Sequence, residues 1–298
     1  MSNLTTSQHE RLRNLVRRSP AFIGMRVEVH DDRVEVGDPE DLVFGLGPVE
    51  EAVAGEPADR WPELVDGCLG RILSALTGDM PDLDGPTEQL LDRVYAKLRT
   101  KDTSPTEWWT YAPEVAPGLL VVIALDYPDR IAILNDEQVR RHGGFDRLLE
   151  AGVNNLYRQA PRDVATHEDV FIVAGAEYTA STALVLPWIV EVLTGAAEFP
   201  HGVLVAVPDD ETLVFHVVRD GAGTRYAVSE IARVAASCYE ESPRALSPTV
   251  YWWAEGSGYL EPVADLAGDR SGAIGQDVVT RYSAGFARVL ADLDQVRS

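Results

Sequence analysis

Three times along this chain an apolar, β-forming run breaks at a short turn rich in aspartate and then resumes. The stretches are residues 25–36 around His30-Asp31-Asp32, residues 119–134 around Asp126-Tyr127-Pro128-Asp129, and residues 203–218 around Pro208-Asp209-Asp210-Glu211. Runs of this kind joined by Asp and Pro read as β-hairpins, because those residues supply the backbone geometry of tight turns. In the first, Met25, Val27 and Val29 alternate with Arg26, Glu28 and His30, giving one dry and one wet face. In the other two the leading runs, residues 119–125 and 203–207, are apolar on both faces, so these strands belong in the middle of a sheet with a layer on each side. The same turns place much of the chain's acid on exposed tips.

Helices are available to cover such sheets. Helical spacing of apolar residues predicts a helix capped by Ser7 and ending near Arg18, and others over residues 48–54, 62–76, 87–98, 145–157, 179–193, 228–239 and 276–296. Pro187 interrupts the 179–193 segment. Short strands are expected at 43–46, around Ile172 and Val173, and at 250–253. The predicted fold is α+β, with mostly antiparallel sheets built from hairpins and covered by amphipathic helices. The polar stretch 100–106 with Pro105 is the best linker, which divides the chain into a smaller unit over residues 1–103 and a larger one over 104–298.

The charge balance narrows the choice of partner. Forty-eight acidic residues oppose 26 basic ones, a formal charge of −22 at pH 7. Nucleic acids and anionic membranes are recognised largely through Lys and Arg, so neither is expected as a partner. A field of this sign accelerates encounter with a basic protein and also keeps a protein soluble. Cys68 and Cys238 lie far apart and outside any C-x-x-C pattern, which predicts two free, buried thiols. The amino terminus lacks the apolar core of a secretory signal, and residues 180–193 are too short to span a bilayer, so a cytoplasmic protein is expected.

No reaction is spelled out by motif. There is no G-x-x-x-x-G-K-[ST], no G-x-G-x-x-G after a strand, no H-E-x-x-H, and no G-x-S-x-G elbow to accompany Arg141-His142-Gly143-Gly144. Gly143-Gly144 reads as a junction between elements, and His216 as a hydrogen-bonded core residue. No cofactor and no resident metal are expected, and no catalytic residue is identifiable. The remaining binding potential lies in the turn carboxylates and in two aromatic clusters. The candidate partner-binding residues are therefore Asp126, Asp129, Asp209, Asp210 and Glu211, with Trp108, Trp109, Trp252 and Trp253.

Several segments occur in an order that resembles the YtpQ-like bacterial family of unknown function. They are residues 119–134, the run Ala151-Gly152-Val153-Asn154-Asn155-Leu156, Ala180-Ser181 before an apolar helix, Val205-Ala206-Val207-Pro208-Asp209 followed by Leu213-Val214-Phe215, and Ser247-Pro248-Thr249-Val250-Tyr251-Trp252-Trp253. The resemblance covers roughly residues 60–255 and implies a cytoplasmic α+β protein, with no catalytic residues to carry over. The chain departs from it at Asp210, where the resemblance implies a basic residue.

Two functions fit these observations. One is a non-enzymatic, acidic, immunity-type protein that engages a basic partner such as a toxin. The other is a metal-dependent hydrolase whose turn carboxylates converge on one ion.

Overall fold

Thr5 opens the first helix, α1 (Thr6–Arg18), of the computed structural model through a reciprocal cap. Gln8 N–H donates to the Thr5 hydroxyl and Thr5 N–H donates to the Gln8 side chain, so the helix starts earlier than a Ser7 cap would allow. The structure describes residues 4–23, 25–31, 33–37, 42–77, 83, 85–101, 106–127, 131–266 and 278–295. The chain divides into two units, Met1–Pro81 and Asp82–Ser298.

In the first unit the expected hairpin forms as β1 (Arg26–Val29) and β2 (Arg33–Gly37), and β3 (Leu42–Gly45) pairs antiparallel on the far side of β2. Val34 and Val36 point into a core shared with Leu12 and Val16 of α1, Val49 and Val53 of α2 (Gly47–Val53), and Val65 and Leu69 of α3 (Trp61–Thr77). Arg33 stays exposed and Glu35 half-buried, as a period of two requires.

The second unit departs from expectation at its start. In place of a helix over 87–98 there is a single turn, α4 (Thr87–Leu90), followed by the strand β4 (Val94–Thr100). The sequence V-Y-A-K-L-R-T satisfies a period of two as well as a helical one. Seven consecutive pairings with β6 (Leu119–Asp126) decide in favour of the strand. The expected boundary near residue 103 therefore differs from the observed division, since β4 belongs to the Asp82–Ser298 unit. Residues 102–105 of the expected linker lie outside the described residues.

Around β6 a four-stranded antiparallel sheet forms, with β4 along one edge and β5 (Glu114–Ala116) and β7 (Ile131–Ile133) sharing the other. The expected hairpin of residues 119–134 is thus β6 and β7. Helices α5 (Asp136–Arg141) and α6 (Phe145–Leu156) follow, joined through Gly143 and Gly144, both at positive φ. Helix α6 lies directly on β4 because Gly152 presents no Cβ, which would meet the backbone of Tyr95 and Ala96.

Seven antiparallel strands make the larger sheet. In chain order they are β8 (Asp163–His167), β9 (Val170–Ala174), β10 (Val203–Asp209), β11 (Thr212–Val217), β12 (Val250–Trp253), β13 (Glu261–Leu266) and β14 (Val278–Thr280). Their spatial order is β14-β13-β12-β10-β11-β9-β8. The β10–β11 hairpin sits in the centre, as its unbroken apolar runs require. Val203, Val205, Leu213 and Phe215 face one core, with α7 (Leu186–Thr194) and the 3-10 segment Ala180–Val185 that precedes it. Leu204, Ala206 and Val214 face another, beneath α8 (Gly221–Glu241) and α9 (Ala284–Gln295). The 179–193 helix is split as Pro187 predicts, with the proline in the first turn of α7, where its missing N–H costs nothing. All five residues of β8 are exposed, so that strand is an open edge of the sheet. Among the described residues no helix is long and apolar enough to cross a membrane.

Candidate functional site

Strand alternation puts Tyr95, Lys97 and Arg99 on one face of β4. Opposite them comes the β10–β11 turn. Its geometry is set by Asp209, whose carboxylate accepts a hydrogen bond from Glu211 N–H at 2.8 Å. The next residue, Asp210, is turned inward and is only 2% exposed. Arg99 Nη1 donates to both of its oxygens, at 2.8 and 2.7 Å, and Lys97 Nζ lies 3.2 Å from Oδ2. The Asp210 backbone is also satisfied: its N–H donates to Arg244 O at 3.3 Å and its carbonyl accepts from Ala180 N–H at 3.2 Å.

Lys97 extends the network. Its ammonium donates to the carbonyl of Glu177 and sits 5.0 Å over the ring of Tyr178, which stacks on Tyr95 at 4.3 Å. The Tyr178 hydroxyl donates to Asp126 Oδ1 at 3.2 Å. Burial pushes the Asp126 carboxyl above its ordinary range, and this hydrogen bond works against the shift. The ends of the second and third hairpins therefore meet, through Tyr178 and Lys97. At the rim Arg244 donates to Glu177 at 3.0 Å and to the carboxylate of Glu211.

This centre joins the two sheets of the second unit. Two cations face one buried carboxylate, so Asp210 is neutralised by the chain itself. Burial, with repulsion from Arg99, brings the Lys97 ammonium down to about 8, against the pull of Asp210. At 1% exposure the Lys97 amine is buried, and its contacts clasp the fold.

A pH experiment follows from this. A folded-state value near 8, lowered from 10.5, means that below pH 8 both folded and unfolded chains hold the proton and the cost of burying the charge is fully present. Between the two values the unfolded chain binds more protons, so this residue's contribution to stability rises with pH. In urea denaturation at pH 7.5 and 9.5, the wild type is expected to gain up to about 1.4 kcal/mol per pH unit relative to Lys97→Met. Equal pH slopes for the two proteins would show that Lys97 is not desolvated.

The other candidates are placed as follows. Asp209 is buried within its turn, Glu211 is half-buried on the rim, and Asp129 lies outside the described residues. Trp109 is buried against Leu120 and Val122, with half-buried Trp108 beside it. Trp252 Nε1 donates to His201 O at 2.9 Å and its ring packs on Phe286. Trp253 Nε1 donates to Ser257 O at 2.8 Å. Asp209, Asp210, Trp109, Trp252 and Trp253 thus build the interior, and Asp126, Glu211 and Trp108 keep partial access to solvent. The expectation that the acidic turns are exposed tips fails for Asp209 and Asp210, because Lys97 and Arg99 reach the turn from β4.

His216 is a core residue, accepting or donating at Nδ1 to Asp169 O at 3.0 Å. Cys68 is buried and Cys238 half-buried, and both are free thiols. Lys97, Arg99, Tyr178 and Arg244 escaped sequence reasoning. The signal for the first two was the alternation of V-Y-A-K-L-R-T. Tyr178 and Arg244 carried none.

Among the described residues the carboxylates of Asp126, Asp209 and Asp210 do not assemble into a three-ligand group. A cleft of about 80 Å³ opens near Leu98, Leu184, Trp253 and Leu260, and no titratable side chain lines it. The molecule is an α+β protein whose two larger sheets are clasped by a buried lysine–aspartate–arginine cluster. Comparison with family models, with curated proteins and with solved structures gave no match for this chain.

Proposed function

We propose that this is a non-enzymatic, acidic binding protein of the bacterial cytoplasm, of the immunity type, that engages a basic protein partner such as a toxin. The reading rests on the end of α8. That helix finishes Tyr239-Glu240-Glu241 with no basic residue in its last turn. A helix C-terminus already carries about half a negative charge, so acidic residues there oppose the dipole by about 0.3–1 kcal/mol each. Two helices follow the favourable rule, α1 ending on Arg17 and Arg18 and α5 on Arg140 and Arg141, whereas α2, α3, α6, α7 and α9 share with α8 a last turn without a basic residue. What sets α8 apart is the pair Glu240-Glu241 beside the β10–β11 turn.

The anionic end of α8 adjoins the β10–β11 turn. The chain just beyond α8 pairs with that turn, Asp210 N–H donating to Arg244 O at 3.3 Å and Asp209 bridging to Ala245. Glu177 and Glu211 extend the rim, with Arg244 between them. A concentrated negative field beside a rigid turn supports fast, salt-sensitive capture of a basic surface. The likeness to the YtpQ-like family is part of this proposal and contributes no activity to it.

Affinity purification from the native cell, at low and high salt, tests the reading. Wild-type bait is expected to recover a basic protein at low salt and to lose it at high salt, while bait carrying Glu240→Lys and Glu241→Lys recovers much less. The same pair of substitutions should raise thermal stability slightly, because lysine suits a helix C-terminus, so weakened capture would not reflect unfolding. If no basic protein distinguishes the two baits, the reading fails.

A further inference from the structure

The wet face of the first hairpin carries a group that neither the clasp nor the acidic rim uses. In the β1–β2 register Glu28 stands directly opposite Glu35. Like charges paired across two strands destabilise a hairpin unless a cation lies between them. His30, two residues after Glu28, projects on the same side and brings its ring to the pair. One ligand atom from each of Glu28, His30 and Glu35 lies within 4.8 Å of the others. Nε2 of His30 is 3.4 Å from Glu35 Oε1. That atom is itself shielded from solvent and makes no hydrogen bond, in a side chain that is 37% exposed.

The spacing has a chemical meaning. A zinc ion holding nitrogen at about 2.0–2.1 Å and oxygen at about 2.0–2.2 Å in a tetrahedron separates neighbouring ligand atoms by roughly 3.4 Å. The imidazole nitrogen and the Glu35 oxygen are already at that separation, too far for a good hydrogen bond. Arg33 Nε donates to Glu35 Oε1 at 2.9 Å and so fixes the carboxylate, as outer hydrogen bonds fix the ligands of metal sites. One imidazole with two carboxylates selects zinc-class transition ions over magnesium and calcium, which prefer oxygen alone.

We infer that the unit Met1–Pro81 binds one zinc-class divalent ion through Glu28, His30 and Glu35, with water completing the coordination. The site is independent of the acidic rim. Calorimetric titration of the untagged full chain, first stripped with chelator, uses zinc chloride and then magnesium chloride as probes. One zinc per chain is expected, with no comparable heat from magnesium. His30→Ala should weaken zinc binding at least about tenfold, Glu28→Gln with Glu35→Gln should do the same, and His9→Ala should leave it unchanged. Cobalt(II) provides a second readout, since a tetrahedral site gives visible absorption bands that His30→Gln should abolish. Absence of zinc heat, zinc binding undiminished in His30→Ala, or an unchanged cobalt spectrum in His30→Gln would each overturn the inference.

Discussion

Asp210→Ala is expected to destabilise the Asp82–Ser298 unit by about 3–5 kcal/mol, because it leaves the buried Lys97 and the half-buried Arg99 without their carboxylate. Lys97 is 1% exposed and cannot turn to water, and Arg99 would then face it with no carboxylate between them. Burial, with repulsion from Arg99, already lowers the Lys97 ammonium to about 8 even with Asp210 beside it. Urea denaturation followed by tryptophan fluorescence reads the effect. Five of the six tryptophans, Trp108, Trp109, Trp188, Trp252 and Trp253, lie in that unit. Replacing the whole cluster with Lys97→Met, Arg99→Leu and Asp210→Leu should recover much of the loss, since apolar groups of similar volume leave no unpaired charge. A loss under about 1 kcal/mol for Asp210→Ala, the value of an exposed ion pair, would show that the clasp is solvated.

Gly202→Ala is the second substitution with a large expected effect. Gly202 precedes β10 at φ +79°, and a Cβ there would approach Trp253 O and Trp252 Nε1 to well under 3.0 Å. The left-handed conformation alone costs an L-residue about 1–2 kcal/mol. The collision adds about 1–3 kcal/mol by forcing β12 and the central strand apart. Together they predict a loss of about 2–5 kcal/mol in thermal or urea unfolding. Gly256→Ala isolates the two effects, because Gly256 has φ +77° with open space around it. It should cost only the strain. If both glycines give equal losses, the approach of Trp253 to the turn is not what fixes Gly202.

Local pattern carried the hairpins, and non-local pairing carried what the pattern missed. The β10–β11 strands were legible because apolar residues on both faces leave a strand nowhere but the centre of a sheet. The strand β4 was misassigned because Val94, Tyr95 and Leu98 fit helical spacing, and only the partner strand twenty-odd residues later resolves the ambiguity. Strands β8 and β13 gave little apolar signal. For the site, the turn residues were correctly located in sequence, but Asp210 takes its meaning from Lys97 and Arg99, more than a hundred residues earlier. Similarly, the approach of His30 to Glu35 needs the hairpin register, which alternation implies once β1 and β2 are paired.

The open edge of β8 gives the chain's acidity a second consequence. A fully exposed strand with neither lysine nor proline along it offers unpaired backbone groups to any passing strand, including the same strand of another molecule. Two copies meeting edge to edge would each bring a net charge of −22, and the repulsion grows as the sheets approach. The surplus carboxylates therefore act as a barrier to aggregation as well as a lure for cations. Conditions that screen or neutralise them, such as high salt or mild acid, are expected to favour association through this edge, which light scattering at low and high salt would read.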